Sequence, residues 1–184
     1  IILILILGTT LVNAQILFSE DFNSVVMPVN FTTYDLDGFT ASPLLSCAFT
    51  GSFIPCQYSG ETFAASPSFF TSPGTADDWM VTPAIALPNN NNVKTLEFDA
   101  RSADVSNRDG VVVYVSTTGN SPADFLTSAA LYNTTATGEP FVWTTRNIDL
   151  SSFSGQNIYI AFRNHSFNKV VLGIDNIKVI ELSD

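Results

Sequence analysis

The chain has 184 residues, enough for one domain that buries roughly 70% of the surface its unfolded form would expose. Seventeen acidic residues against seven basic ones give a formal net charge of −10, which excludes the basic surface typical of proteins that bind nucleic acid or anionic lipid. Fifteen phenylalanines, with many valines, isoleucines and threonines, favour strands over helices. The acidity suits cation binding, although solubility alone also explains it.

The first residues, IILILILGTTLVNAQ, form an apolar run followed by a small-residue cleavage pattern. They predict a signal-peptide remnant over residues 1–14 and a domain over residues 15–184, hence a secreted or cell-surface protein. The run is too short to span a bilayer, so no membrane insertion is expected. The alternative is a β-strand, buried or donated to a neighbouring molecule, because both of its faces would be apolar.

The first predicted strand after this run, ILFSEDF, places Ile16, Phe18, Glu20 and Phe22 on one face. Glu20 therefore shares a face with apolar side chains, and an inward carboxylate needs a partner or a metal ion. The alternative is that the strand has already reached solvent at Glu20.

A turn follows in which Asp35 and Asp37 precede Gly38. Closely spaced carboxylates on a bend provide the hard oxygen ligands that Ca²⁺ requires. Turn chemistry alone explains the same residue types, because Asp and Gly are both favoured in turns.

Residues 41–72 form the least regular part of the sequence and hold both cysteines. Cys47 and Cys56 flank Thr50-Gly51 and could face each other across a hairpin, and in an exported protein such a pair predicts a disulfide. Two buried free thiols are the alternative. The segment also holds five phenylalanines, and any that remain exposed would suit a partner.

The middle of the chain alternates strands with turn signals. Pro83 interrupts one strand and predicts an edge position or a strand end. Ser121-Pro122 predicts the start of a one-turn helix, with Ser as the N-cap. Strands are predicted over residues 77–87, 93–102, 109–117 and 141–150.

Two strands are predicted near the end of the chain. Ile158 to Phe162 alternate apolar and polar residues, the period of a half-buried strand. In the last strand the apolar parity reverses between Ile174 and Ile177. A slip of one residue is the mark of a β-bulge, which would re-aim the carboxylate of Asp175.

Three motifs in order, DDWMVTPAIAL, DGVVVYVSTTGNSPADF and IDLSSFSGQNIYIAFRNHS…LGIDNIKV, resemble the cleaved-adhesin / choice-of-anchor J family. These are jelly-roll modules, related in shape to MAM domains, on secreted and surface proteins of Bacteroidetes-type bacteria. Short strands with regular turns independently predict a sandwich or barrel. We therefore expect an all-β jelly-roll β-sandwich of two antiparallel sheets. The resemblance also implies that Trp79 packs within the fold.

A calcium site joining the two chain ends is predicted from this fold. The first and last strands of a jelly roll can lie side by side, and the acidic turn after the first strand could close over the same point. The predicted ligands are Glu20, Asp21, Asp35, Asp37 and Asp175.

Little in the sequence points to catalysis. The chain has one histidine, His165, and no Gly-x-Ser-x-Gly elbow or phosphate-binding glycine loop. Two cysteines and one histidine exclude a cysteine-rich zinc site. A pair of carboxylates acting on a glycoside stays open, because their distance is not visible in a sequence. We expect a protein that is not an enzyme.

Three functions remain. The resemblance implies a non-catalytic adhesion or recognition module that contacts extracellular protein or glycan. The second is a carbohydrate-binding module, in which Tyr58, Trp79 or Trp143 would stack on sugar rings. The third is a self-associating structural protein whose apolar N-terminal strand completes a neighbour.

Overall fold

The computed structural model describes residues 13–183, which contain twelve strands, one short α-helix and one 3-10 turn. Residues 1–12 lie outside the described residues, so the signal peptide and the donated strand stay predictions. The elements are β1 (Asn13–Glu20), β2 (Thr32–Asp35), β3 (Ile54–Tyr58), β4 (Glu61–Pro67), β5 (Asp78–Val81), β6 (Ile85–Ala86), β7 (Val93–Ser102), β8 (Val111–Ser116), α1 (Pro122–Phe125), β9 (Tyr132–Asn133), β10 (Thr144–Asp149), a 3-10 turn (Ser151–Phe153), β11 (Asn157–Asn164) and β12 (Val171–Ser183).

Two antiparallel sheets form the sandwich. Sheet A has the order β10-β7-β12-β4-β3, and β1 pairs with the second half of β12. Sheet B has the order β2-β5-β11-β8-β9, with β6 beside β11. The predicted jelly-roll sandwich is confirmed. The first and last strands of the described range lie side by side, as expected.

The core lies between the sheets and is built from alternate residues of their strands. Phe98 on β7 and Phe162 on β11 meet edge to face with ring centroids 5.1 Å apart, and both are fully buried. Ile158 and Ile160 are also fully buried, which confirms the alternation predicted for β11. Each such side chain contributes about 1.5–3 kcal/mol through burial.

The bulge predicted in the last strand is confirmed. The pairing of β12 with β7 slips between Asp175 and Lys178, and Asn176 adopts a left-handed φ of 50°. Ile174 and Ile177 are both fully buried, although they have opposite parity in the sequence. The bulge therefore lets both halves of one long strand face the same core.

A second bulge lies in β1, where the uninterrupted alternation that we expected is wrong. The pairing with β12 slips between Ile16 and Phe18, so Leu17 is the extra residue. Ile16 is 59% exposed, whereas Leu17 and Phe18 pack against the core. Ile16, Leu17 and Phe18 are all apolar, so the sequence does not show which of them face the core. The pairing of β1 with β12 determines which side chains point inward.

The expectation that residues 41–72 are irregular is wrong in their second half. There β3 and β4 form a hairpin that turns at Ser59-Gly60, whose φ values of 55° and 87° are both positive. The turn is therefore not at Thr50-Gly51. Two-residue hairpin loops favour such conformations because their twist matches that of the strands.

Other predicted boundaries shift by a few residues. Pro83 separates β5 from β6, as its missing donor requires. β10 starts at Thr144, three residues later than predicted. Ser121 is the N-cap of α1 with Asp124 completing a capping box, which confirms the predicted helix start.

Candidate functional site

A groove opens on the outer face of sheet A. Along β4, Ala64 packs into the main core while Phe63 and Ala65 belong to a separate apolar cluster on the other face. The segment of residues 44–49 forms one wall over this second face, and the space enclosed is about 250 Å³. We call it the outer groove; its lining is Leu44, Leu45, Ser46, Cys47, Phe49, Cys56, Tyr58, Phe63, Arg101, Ala103, Phe141, Val170 and Val171.

An arginine lies over two aromatic rings at one end of the groove. The guanidinium carbon of Arg101 is 4.7 Å from the ring centroid of Phe63 and 4.5 Å from that of Trp143. The Trp143 indole N–H donates a 3.0 Å hydrogen bond to Glu61. A Cβ at Gly173, which lies between these strands, would come 3.0 Å from the Trp143 ring. The glycine thus makes room for the stack, and each cation–π contact contributes about 0.5–2 kcal/mol.

The three aromatic residues proposed to stack on sugars have different surroundings. Tyr58 is 52% exposed and lines the outer groove, and Trp143 is half-buried beside it. Trp79 is fully buried, with its ring stacked on Tyr114 at 5.6 Å and on Phe125 at 6.1 Å. A ligand-stacking role for Trp79 is therefore wrong, because neighbouring rings enclose it. Its role is packing on the outer face of sheet B.

The two cysteines join the wall of the groove to its floor. Cys47 and Cys56 are paired as a disulfide with their Cα atoms 5.8 Å apart. Cys56 belongs to β3, whereas Cys47 lies in the segment of residues 44–49. The bond therefore restrains that segment against the edge of sheet A.

An acidic group lies at the edge of sheet B. Asp35 on β2 pairs with Asp78 on β5, and Asp37 lies in the following turn. One carboxylate oxygen from each of these three residues lies within 4.8 Å of the others. Sequence reasoning missed Asp78, because the Asp77-Asp78 pair resembles an ordinary strand start. Its position opposite Asp35 appears only when β2 and β5 pair.

Asp78 is the member of this group that is removed from water, with 2% of its surface exposed. The pKa of its carboxyl is raised to about 8, first by burial and then by the nearby charges of Asp37, Asp35 and Asp77. A 2.7 Å hydrogen bond donated by Ser66 opposes that shift. A bound cation would favour the ionised form that this environment disfavours.

A second acidic group lies at the bulge of β12. The pKa of Asp175 is raised to about 6, first by burial and then by the charges of Asp99 and Asp21. Asp99 is directly opposite Asp175 on β7. The Glu20 carboxylate accepts a 2.8 Å hydrogen bond from the Phe22 backbone N–H. The charge of Asp21 acts on the carboxyl of Asp175, so these two residues are close to each other, as expected.

The structure does not gather the five predicted ligands into one site. Asp35 and Asp37 lie with Asp78 on sheet B, whereas Asp175 lies with Asp99 and Asp21 on sheet A. Among residues 13–183, only the group with Asp78 places three carboxylates within 4.8 Å. The expected closure of the acidic turn over the chain ends is wrong, because β2 pairs with β5 instead.

Other buried charges are engaged in contacts within the fold. Asp109 accepts a hydrogen bond from the Ser68 hydroxyl and a 2.9 Å bond from the Val170 N–H, while burial raises its pKa to about 6. Glu139 forms a 2.7 Å ion pair with Arg146. The only imidazole, that of His165, has Nδ1 3.0 Å from a backbone carbonyl.

Fold and surface together define a jelly-roll module with an apolar groove on one outer face and two separate groups of acidic residues. The chain belongs to the cleaved adhesin domain family, which it matches over residues 15–179. It is 26% identical to Hemagglutinin A of Porphyromonas gingivalis in a match 181 residues long. The match covers 88% of this chain. The chain spans only 8% of the length of that relative.

Solved structures share the fold. The K3 cleaved adhesin domain of Lys-gingipain from Porphyromonas gingivalis superposes with a TM-score of 0.68 at 21% identity, covering 91% of this chain and 99% of that one. A family 11 carbohydrate-binding module from Clostridium thermocellum, in complex with a mixed-linked tetrasaccharide, gives 0.51 at 16% identity, covering 92% and 96%. Within residues 13–183 no helix is long and apolar enough to cross a membrane.

Proposed function

We propose that this chain is a non-catalytic adhesion module of a secreted or cell-surface protein, which binds extracellular protein or glycan without transforming it. Membership of the cleaved adhesin family over residues 15–179 carries this proposal. The buried acids support it, because Asp109 and Glu139 are held in contacts within the fold rather than directed into the outer groove.

Glycan is the second candidate ligand, and two aromatic side chains in or beside the groove favour it. Tyr58 is half-exposed at the groove, and Trp143 is held beside Arg101. Aromatic faces and a nearby ion pair suit the apolar face and the hydroxyls of a sugar ring. The family 11 carbohydrate-binding module, which was solved with an oligosaccharide, has the same fold.

We also propose that calcium stabilises the module. The carboxylates of Asp35, Asp37 and Asp78 are the main ligand set, because they offer three oxygens within 4.8 Å. Asp21 and Asp175 form the second acidic group, on the side of the fold where the first and last strands pair. The net charge of −10 adds long-range attraction for a divalent cation.

The experiment is a binding and turnover assay on the purified protein. Arrays of glycans and of matrix and cell-surface glycoproteins should show saturable binding that a Tyr58→Ala variant weakens. A Val29→Ala variant is the matched control, because Val29 is 93% exposed and does not line the groove. A parallel panel of glycosides, esters and peptides should show no hydrolysis above buffer. Hydrolysis that disappears when one acid pair is changed to amides would replace this proposal with a glycosidase.

A further inference from the structure

The outer groove leaves apolar surface uncovered at its rim. Leu44 is 82% exposed and Phe141 is 51% exposed, and both line the groove together with the buried side chains of Phe63 and Val171. Most of the lining consists of aliphatic side chains, aromatic rings and the disulfide. Exposed apolar side chains that border a groove are a feature of binding sites. The groove is open to solvent and has a volume of about 250 Å³.

One positive charge faces this apolar space. Arg101 is the only charged residue among the described residues that line the groove. Its side chain is 18% exposed, and within residues 13–183 its guanidinium donates no hydrogen bond. Glu61 forms an ion pair with this guanidinium at 3.7 Å, a separation too long for a hydrogen bond. The guanidinium is thus held over two rings and beside one half-exposed carboxylate, and it makes no hydrogen bond to either, in a chain whose net charge is −10.

We propose that the outer groove binds an apolar side chain of a protein partner together with an aspartate or glutamate beside it. The inference rests on the proposed adhesion function and names the partner chemistry at one site. The apolar side chain fills the space between Leu44 and Phe63, and the carboxylate pairs with Arg101. A guanidinium fork binds a carboxylate through two parallel hydrogen bonds, which supplies both affinity and direction.

The lining favours this partner over a sugar. Leu45, Val170 and Val171 would face sugar hydroxyls without offering them a hydrogen bond, and buried polar groups without partners are costly. Glu61, 3.7 Å from Arg101, competes for the guanidinium, whereas repulsion from more distant exposed charges is screened beyond about 10 Å at 0.1 M salt. Arg101 carries the only charge among the described residues that line the groove, so its guanidinium is the proposed binding point for the carboxylate.

The first test is an NMR titration of the ¹⁵N-labelled protein with two blocked peptides, acetyl-Gly-Phe-Glu-Gly-amide and acetyl-Gly-Phe-Gln-Gly-amide. We expect shifts at the groove and about tenfold tighter binding of the acidic peptide, since a hydrogen bond to a charged group is stronger than a neutral one. Arg101→Gln should remove the difference between the peptides, and Arg101→Lys should restore part of it. Equal affinities in the wild type, or shifts confined to other surfaces, would overturn the inference.

The second test uses exposed positions, so that loss of folding does not obscure the result. Leu44→Glu adds a negative charge at the rim and should abolish binding of the acidic peptide, whereas Val29→Glu should leave it unchanged. Both variants are then applied to the glycoprotein array. Glycoprotein binding that Leu44→Glu leaves intact would refute the groove as the site while the adhesion function stands. A wild-type protein that binds neither peptide nor any glycoprotein would refute both.

Discussion

Asp78 is the residue whose charge is most affected by folding. Its pKa of about 8 means that the folded protein keeps a proton between about pH 4 and pH 8 that the unfolded chain releases. Stability therefore falls as pH rises through this window, with a slope of up to about 1.4 kcal/mol per pH unit. Asp109 and Asp175, whose pKa values are about 6, act in the same direction.

Asp78→Asn should flatten this pH dependence, because a neutral amide has no proton to lose. In EDTA, we expect the variant to be more stable than the wild type at pH 8 and similar to it at pH 4, as measured by urea denaturation across the pH range. Glu97→Gln, which changes a half-buried acid on β7 outside this group, should keep the wild-type slope. A wild-type stability that rises from pH 4 to pH 8 would contradict the assignment.

At the scale of single elements, β12 depends on one residue in the left-handed conformation. Asn176 has a φ of 50°, which glycine adopts at no steric cost and a β-branched residue adopts with strain. Its side chain donates a 2.9 Å hydrogen bond to Asp99. Because the bulge re-aims the second half of β12, strain at this residue acts on the whole strand.

Asn176→Val should destabilise the protein by about 1–3 kcal/mol, the usual cost of a strained backbone conformation. Asn176→Gly loses the same side-chain hydrogen bond but fits the backbone, so its loss of stability should be smaller. Chemical denaturation of the two variants measures the difference. Equal effects would show that the hydrogen bond to Asp99, and not the backbone conformation, supports the bulge.

The disulfide restrains a second element, the segment over the outer groove. Its two cysteines are nine residues apart, so the cross-link should contribute about 2–3 kcal/mol by limiting the unfolded chain. A Cys47→Ser, Cys56→Ser double variant should lose that stability in thermal denaturation. Hydrogen exchange should also increase in residues 44–49 more than in β7. Unchanged stability would mean that packing of Phe49 already holds the segment.

Single elements also show what the sequence could predict. The bulge in β12 was predictable because Ile174 and Ile177 are apolar and their neighbours are not. The sequence therefore shows that the alternation of apolar residues shifts by one position between them. The bulge in β1 was not, because Ile16, Leu17 and Phe18 are all apolar. The β3–β4 hairpin was missed because Ser59-Gly60 is a weaker turn signal than Asn-Gly or Asp-Gly.

Across the whole molecule, the fold was predicted more fully than the sites. Strand periodicity and family resemblance were sufficient to predict two antiparallel sheets in which the first and last strands of the described range are adjacent. The predicted calcium site was divided between two places because β2 pairs with β5 on sheet B, and no local pattern reveals which sheet a short strand joins. The outer groove likewise depends on residues from β3, β7 and β12 that are distant in sequence.

The last prediction concerns the response of the whole domain to calcium. A ligand that binds only the folded state stabilises it by about 2.7 kcal/mol at a concentration 100 times its Kd, which raises Tm by roughly 5–10 °C for a domain of this size. We therefore expect the Tm measured in millimolar Ca²⁺ to exceed that in EDTA. Asp37→Asn should remove most of this shift, and Asp104→Asn, which changes a half-buried acid outside both groups, should retain it. A shift that survives Asp37→Asn but disappears in Asp175→Asn would place the ion at the bulge of β12. Identical melting curves in EDTA and Ca²⁺ would exclude calcium stabilisation.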